Sequence, residues 1–267
     1  FLLEEAMNHG LQIRGDNDPI TIAIMNNLAV LAIAAGDYPR STLLLVSVAR
    51  WQQKHRSSSH IDVLLTKNNL ARSLEGEGKL SDAEAVYRQV VKAIIAEYGT
   101  SHPKTPDIVI NLAGLLDDLH HYEEAIHYYR LAVDGDSKNF GPYNYRTLNA
   151  HQMLGVCLRE SGNLDEAVDV LSRLQKNCEA GSNRLAAVSS ALGLSFQHAN
   201  NFSGASREFL KSLAIREELA ARGEISSDHV CQALGRIKAL LELHSDEPLG
   251  QLLRKKLFEW TVCQLTD

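Results

Sequence analysis

The sequence predicts an all-α solenoid of about six helix-turn-helix repeats, preceded by a half-repeat helix and closed by a C-terminal capping helix. A fixed step, several columns held in one register and a helix-rich composition carry that prediction. A Leu-Ala or Leu-Gly pair recurs at Leu28-Ala29, Leu70-Ala71, Leu112-Ala113, Leu154-Gly155, Leu192-Gly193 and Leu234-Gly235, with steps of 42, 42, 42, 38 and 42 residues. Self-similarity at such a period marks supersecondary units stacked in series.

Other positions keep this register. Eight residues after each of the first five leucines stands a turn: Gly36-Asp37-Tyr38, Gly78-Lys79-Leu80, His120-His121-Tyr122, Gly162-Asn163-Leu164 and Asn200-Asn201-Phe202. Thirteen residues after the leucine comes a small residue (Ser41, Ala83, Ala125, Ala167, Ala205), and four later a large one (Leu45, Tyr87, Tyr129, Leu171, Phe209). Each unit reads as two antiparallel helices, A and B, joined by a tight corner, and the steps of three and four are the helical period. Small residues let the backbones approach, and large ones fill the gap to the next unit. Gly or Asn at the corner supplies the left-handed backbone that ends helix A. Ser81 and Glu84 have the spacing of a capping box, as do Asn163 and Glu166. Asp37 is placed to cap a helix whose first turn admits Pro39.

One helix pair cannot bury its own apolar face, so neighbours must stack into a continuous core. The repeats are expected at 19–60, 61–102, 103–144, 145–182 and 183–224. Ahead of them, residues 1–18 form a half-repeat, with Leu2, Leu3, Ala6, Met7 and Leu11 on a helical pattern; the sequence is therefore expected to begin inside a larger polypeptide. Residues 225–267 form a degenerate last repeat, in which Glu247 takes the small position and Pro248 opens a capping helix at 249–265.

Composition agrees and excludes some functions. Among 267 residues, 45% are hydrophobic, only 6% are aromatic and six are proline, which suits long helices around a packed core. A net charge of −6 argues against nucleic acid as a partner, and the short Arg254-Lys255-Lys256 run falls near the end of an expected helix, where cations offset the dipole. No apolar stretch reaches the roughly 18 residues a membrane helix needs; the longest, 21–35, is interrupted by Asn26 and Asn27. Cys157, Cys178, Cys231 and Cys263 form no CxxC pair and read as reduced, mostly buried thiols of a cytoplasmic protein.

Several stretches carry a family resemblance. Met25-Asn26-Asn27-Leu28-Ala29 and Lys67-Asn68-Asn69-Leu70-Ala71 share one element, Gly78-Lys79-Leu80 and Ala83-Glu84-Ala85-Val86-Tyr87 give two more, and Gly99-Thr100-Ser101-His102-Pro103-Lys104-Thr105 gives a fourth. These resemble tetratricopeptide repeats of the kinesin light chain type, across nearly the whole chain. The resemblance implies a right-handed solenoid whose A helices line a concave groove that holds a peptide or partner protein. It also implies that the second Asn of Asn-Asn-Leu-Ala faces that groove, where an amide both donates to and accepts from a peptide backbone.

The groove candidates are therefore Asn26, Asn27, Asn68, Asn69 and Asn111, of which Asn27, Asn69 and Asn111 lie 42 apart; Met153 interrupts the row in the next repeat. Helical spacing adds Arg72, Glu75, Asp117, Asp118 and Arg159, with Glu160 beside it. This mixture suits a ligand of mixed or basic charge as well as an acidic one. The same asparagines could instead cap a neighbour or face water, and Tyr87, Tyr129 and Phe209 read as packing residues.

No catalytic constellation is legible, and no metal or cofactor is expected. HExxH, GxxxxGK[ST], GxGxxG and GxSxG are all absent from the sequence. His120-His121 falls at a corner and reads as a pair of solvated turn residues, and Ser57-Ser58-Ser59-His60 as a polar loop between repeats. A second functional expectation stands beside the scaffold: a ligand-sensing or autoinhibitory domain of a larger signal-transducing NTPase receptor.

Overall fold

The computed structural model describes residues 2–243 together with Arg254 and Phe258. The expected capping helix at 249–265, with Pro248, Lys255, Lys256 and Cys263, lies outside the described residues apart from those two positions. The described residues form twelve helices and no strand. They are α1 (Leu2–Arg14), α2 (Pro19–Ala34), α3 (Tyr38–His55), α4 (Ile61–Gly76), α5 (Leu80–Tyr98), α6 (Thr105–Asp118), α7 (Tyr122–Phe140), α8 (Tyr145–Glu160), α9 (Leu164–Lys176), α10 (Asn183–His198), α11 (Phe202–Ala221) and α12 (Ser227–Leu243). None of them is long and apolar enough to cross a membrane.

Contacts along the chain define two units, Phe1–Thr147 and Leu148–Asp267, with the boundary inside α8. In the first unit α2 packs on α3, α4 on α5 and α6 on α7, each an A helix on its own B helix. Each B helix then packs on the following A helix, α3 on α4 and α5 on α6, while α1 covers α2. The A helices also meet one another directly, α2 on α4 and α4 on α6. In the second unit the order continues as α9 on α10, α10 on α11 and α11 on α12.

The sequence columns are the core. Ser41, Ala83, Ala125, Ala167 and Ala205 are all 0% exposed, and Leu45, Tyr87, Tyr129, Leu171 and Phe209 are at most 2% exposed. The large residues close their own repeat as well as the gap to the next unit. A Cβ built on Gly155 would lie 2.6 Å from Leu171, and one on Gly193 would lie 2.5 Å from the Phe209 ring. These glycines are small because the B-helix side chain occupies the space a methyl would fill. Leu171 then continues into Val188 and Leu192 of α10, and Phe209 into Val230, Leu234 and Ile237 of α12.

The corners follow the sequence, with two informative exceptions. Gly36, Gly78 and Gly162 take positive φ, and His120 and Asn200 hold the same left-handed conformation at φ 61° and 55°. His120 is a turn residue, its Nδ1 lying 2.8 Å from the Tyr122 hydroxyl. Asp37 caps α3 by accepting from the Arg40 backbone N–H at 3.3 Å, with Pro39 in the first turn. The expected capping boxes do not form. α5 already starts at Leu80, so Ser81 lies within the helix and Lys79 stands at the N-cap without a side-chain bond. Asn163 is the N-cap of α9, but its Nδ2 donates to the Ser161 hydroxyl at 2.9 Å rather than its oxygen capping the helix.

Loops between repeats close in a repeated way. The Thr105 hydroxyl donates to the Gly99 carbonyl at 2.8 Å, and Thr147 does the same to Gly141 at 2.7 Å. Both glycines have positive φ, which turns the B helix out so that the next A helix can begin.

One further column keeps the same register, and its role is seen only in three dimensions. Gln52, Ile94, Asp136, Cys178 and Arg216 occupy equivalent positions near the ends of the B helices. Three of them reach toward the start of the next A helix. Gln52 Nε2 donates to the Asp62 carbonyl at 3.4 Å and Arg216 Nη1 to the His229 carbonyl at 2.9 Å, while Asp136 accepts from Arg146 Nε at 3.3 Å. Arg146 also pairs with Asp107 and stacks 4.7 Å over the Phe140 ring. The cysteines differ from the sequence expectation: Cys157 is buried, Cys178 half-buried and Cys231 exposed, none of the three in a disulfide.

Candidate functional site

In the first unit, α2, α4 and α6 lie side by side, and the expected site residues fall on them. Asn27 is exposed, Asn26 and Asn69 are half-buried, and Asn68 is buried. Asn111 donates from Nδ2 to Asn68 Oδ1 at 3.0 Å. The Asn at the second motif position of the third repeat, which follows Ile110, therefore bonds the first Asn of the second repeat, an amide rung from α6 to α4. The corresponding oxygen one repeat earlier, Asn26 Oδ1, is buried and has no hydrogen-bond partner.

A charged group lies further along the same helices. Arg72 and Asp118 are exposed, and Glu75 and Asp117 are half-buried. Glu75 accepts the Tyr87 hydroxyl at 2.8 Å. Burial raises the Glu75 carboxyl above its usual value; the Tyr87 hydrogen bond opposes that, nearby Asp118 adds to it, and Arg72 lowers it. Burial beside Glu75 likewise pushes the Tyr87 phenol up. Arg72, Glu75 and Asp118 thus share one electrostatic neighbourhood, as their spacing along the A helices requires.

Arg159 belongs to the second unit and is only 8% exposed. It pairs with Glu160, while its Nε–H is buried without a partner. It borders a hollow of about 670 Å³ lined also by Gln197, His198, Phe202 and Leu243. Arg216 repeats the theme at 6% exposure, with its own Nε unpartnered. Arg236 on α12 is held below the usual arginine range by burial, then by Arg216 and Arg159. Arg236 therefore feels the charge of both other guanidiniums.

Sequence reasoning missed a cavity in the first unit between α2, α3 and α4, where Trp51, Gln52, Asp62 and Thr66 join Asn26. The available signal was the chemistry of one column: Gln52 is polar where the next repeat has Ile94. Among the described residues no group of three or more His, Cys, Asp or Glu could hold a metal ion.

Residues 62–138 and 111–180 match the family model of the tetratricopeptide repeat. Solved structures agree in fold. Nearly identical tetratricopeptide-like repeats ascribed to a kinesin light chain of Podosopora anserina superpose with a TM-score of 0.69 at 20% identity, covering 75% of this chain and 97% of that one. BtubC (BKLC) from P. vanneervenii gives 0.69 at 22% identity, over 84% of this chain and 89% of that one. YrrB, a tetratricopeptide-repeat protein with an unusual peptide-binding site, gives 0.54 at 17% identity, over 82% and 97%. No curated protein matches the sequence.

Proposed function

We propose that this chain, an array of tetratricopeptide repeats, is a scaffold that holds an extended segment of another protein along the A helices of its first unit. The observation that carries the reading is the Asn111–Asn68 rung, which fixes side-chain amides between neighbouring A helices, with Arg72 and Asp118 left exposed on the same helices. The large apolar columns are consumed by packing, so recognition falls to these polar groups. Amides supply both a donor and an acceptor to a peptide backbone, and the adjacent charges of both signs suit a segment that alternates in charge. The YrrB likeness supports a peptide ligand as a use of this fold.

The test is capture of partner segments from a peptide array by the wild-type chain and by Asn69→Ala combined with Arg72→Ala. The double variant should lose about tenfold in affinity, equivalent to about 1.4 kcal/mol, with unchanged far-UV circular dichroism. Equal affinity for both proteins overturns the assignment.

A further inference from the structure

The cavity beside α2 holds about 210 Å³. Ile22, Val48, Leu65 and the Trp51 ring give it an apolar wall, and two amides give it a polar side. Gln52, 5% exposed, has a fixed orientation: its Nε2 donates to Thr66 Oγ1 at 3.0 Å and to the Asp62 carbonyl at 3.4 Å. Its nitrogen is committed, and its Oε1 is buried with no partner. Asn26, which lines the same cavity, also has a buried oxygen without a partner. Trp51 is no donor to either oxygen, because its Nε1–H already donates to the Asn17 carbonyl at 2.9 Å.

Two residues that line one cavity each hold an unpaired acceptor, and meeting both calls for a ligand with two N–H or O–H bonds, since an unmet buried acceptor bears its full desolvation cost. The charges of the lining select among donors. Its one carboxylate, Asp62, is already ion-paired with Arg56, which lines the cavity too. An incoming ammonium or guanidinium would therefore be buried beside a like charge with no counter-ion of its own. A hydroxyl brings a single hydrogen. A primary carboxamide brings two N–H bonds without charge, and its aliphatic stem meets the Ile22, Val48 and Leu65 wall.

We infer that this cavity takes the carboxamide of an asparagine or glutamine side chain from the bound segment, donating to Asn26 Oδ1 and Gln52 Oε1. The inference rests on the A helices of the first unit being the partner-binding face, because Asn26 belongs to both. It specifies the side chain that the segment must present at the α2 end of that face.

Propionamide is a probe that needs no partner. The full chain carries two tryptophans, so the Trp51 indole N–H cross-peak is assigned by its absence in Trp51→Phe. Titration should shift it saturably with a millimolar dissociation constant, in keeping with the small size of the probe. N,N-dimethylpropionamide, which lacks the N–H bonds, should bind about tenfold more weakly, as should propionamide to Asn26→Ala and to Gln52→Leu. Asn26→Ala changes a half-buried residue and keeps the test valid if Gln52→Leu perturbs folding. Equal binding of the dimethyl compound makes the cavity merely apolar, tighter binding of methylguanidinium makes it a cation site, and no saturable shift with any probe leaves it a water pocket. Each of these outcomes overturns the inference, and none of them alters the result expected from the Asn69→Ala, Arg72→Ala pair.

Discussion

Gln52 in the first unit and Arg216 in the second stand at the same place in their repeats and perform the same structural act. Each reaches from the end of a B helix to a carbonyl in the first turn of the next A helix. What they leave over differs. Gln52 leaves a buried oxygen, an acceptor, while Arg216 leaves a buried Nε–H, a donor, with Arg159 leaving another. The lesson is that a repeat fold can hold one packing solution constant and, by a single substitution, reverse the polarity of the hydrogen-bonding group it leaves buried. Between them in the same column, Asp136 shows the cost of charge at this place. It is 1% exposed, burial raises its carboxyl above the usual range, and Arg146 counters that shift.

The largest effect of breaking this column is expected at Asp136. Arg146→Met should cost about 3 kcal/mol in urea denaturation, because a buried carboxylate loses the cation that compensates it. If the loss is under about 1 kcal/mol, the ion pair is effectively solvated and the column imposes no charge penalty. Gly193→Ala should cost about 1–3 kcal/mol, because the new methyl must displace the Phe209 ring; a thermal melt unchanged from wild type would show that the helices can separate freely. Arg216→Met should fall within about 1 kcal/mol of wild type in either direction, since the lost His229 bond is offset by removing a buried cation that lacks a counter-charge. A large loss there would mean that Arg216 has a strong partner and that the donor polarity of the second unit is already satisfied.

A smaller effect separates Glu75 from the column. Burial raises its carboxyl in the fold, so the folded chain keeps this proton at pH values where the unfolded chain has released it. Its contribution to stability therefore falls as pH rises from the unfolded value through the raised folded one, and stays low above it. Glu75→Gln should flatten that part of the stability profile and raise the melting temperature at neutral pH, with the Tyr87 hydroxyl still finding an acceptor. A steeper profile in the variant would reverse the sign of the argument. The smallest effect is on stability in Asn69→Ala with Arg72→Ala, within about 0.5 kcal/mol at the exposed Arg72, as for surface positions generally, and about 1 kcal/mol at the half-buried Asn69.

The candidate site was half legible. Spacing alone put Asn27, Asn69 and Asn111 in one register, and Arg72, Glu75 and Asp118 within reach of one another. It could not foretell that Asn111 turns along the array to Asn68, because rotamer choice depends on which neighbour offers an acceptor. Nor did it reveal the cavity. Gln52 is polar at a place where Ile94 and Cys178 are not but Asp136 and Arg216 are, and polarity in so variable a column has no meaning until the Gln52 oxygen is seen to lack a partner. The capping boxes failed for a similar reason. Ser81-Asp82-Ala83-Glu84 has the right letters, but the left-handed corner at Gly78 lets the helix begin before Ser81.

The sequence by itself determined the helix pairs, their order and the residues that pack them, because burial repeats at the helical period and a small residue opposite a large one must recur wherever two helices close together. Only the tertiary structure decided which buried polar atoms of the described residues remain without partners, among them Asn26 Oδ1, Gln52 Oε1, and the Nε groups of Arg159 and Arg216. The physical reason is one of range. Packing is written in local spacing along one chain segment, whereas hydrogen-bond satisfaction depends on atoms that three different helices bring together.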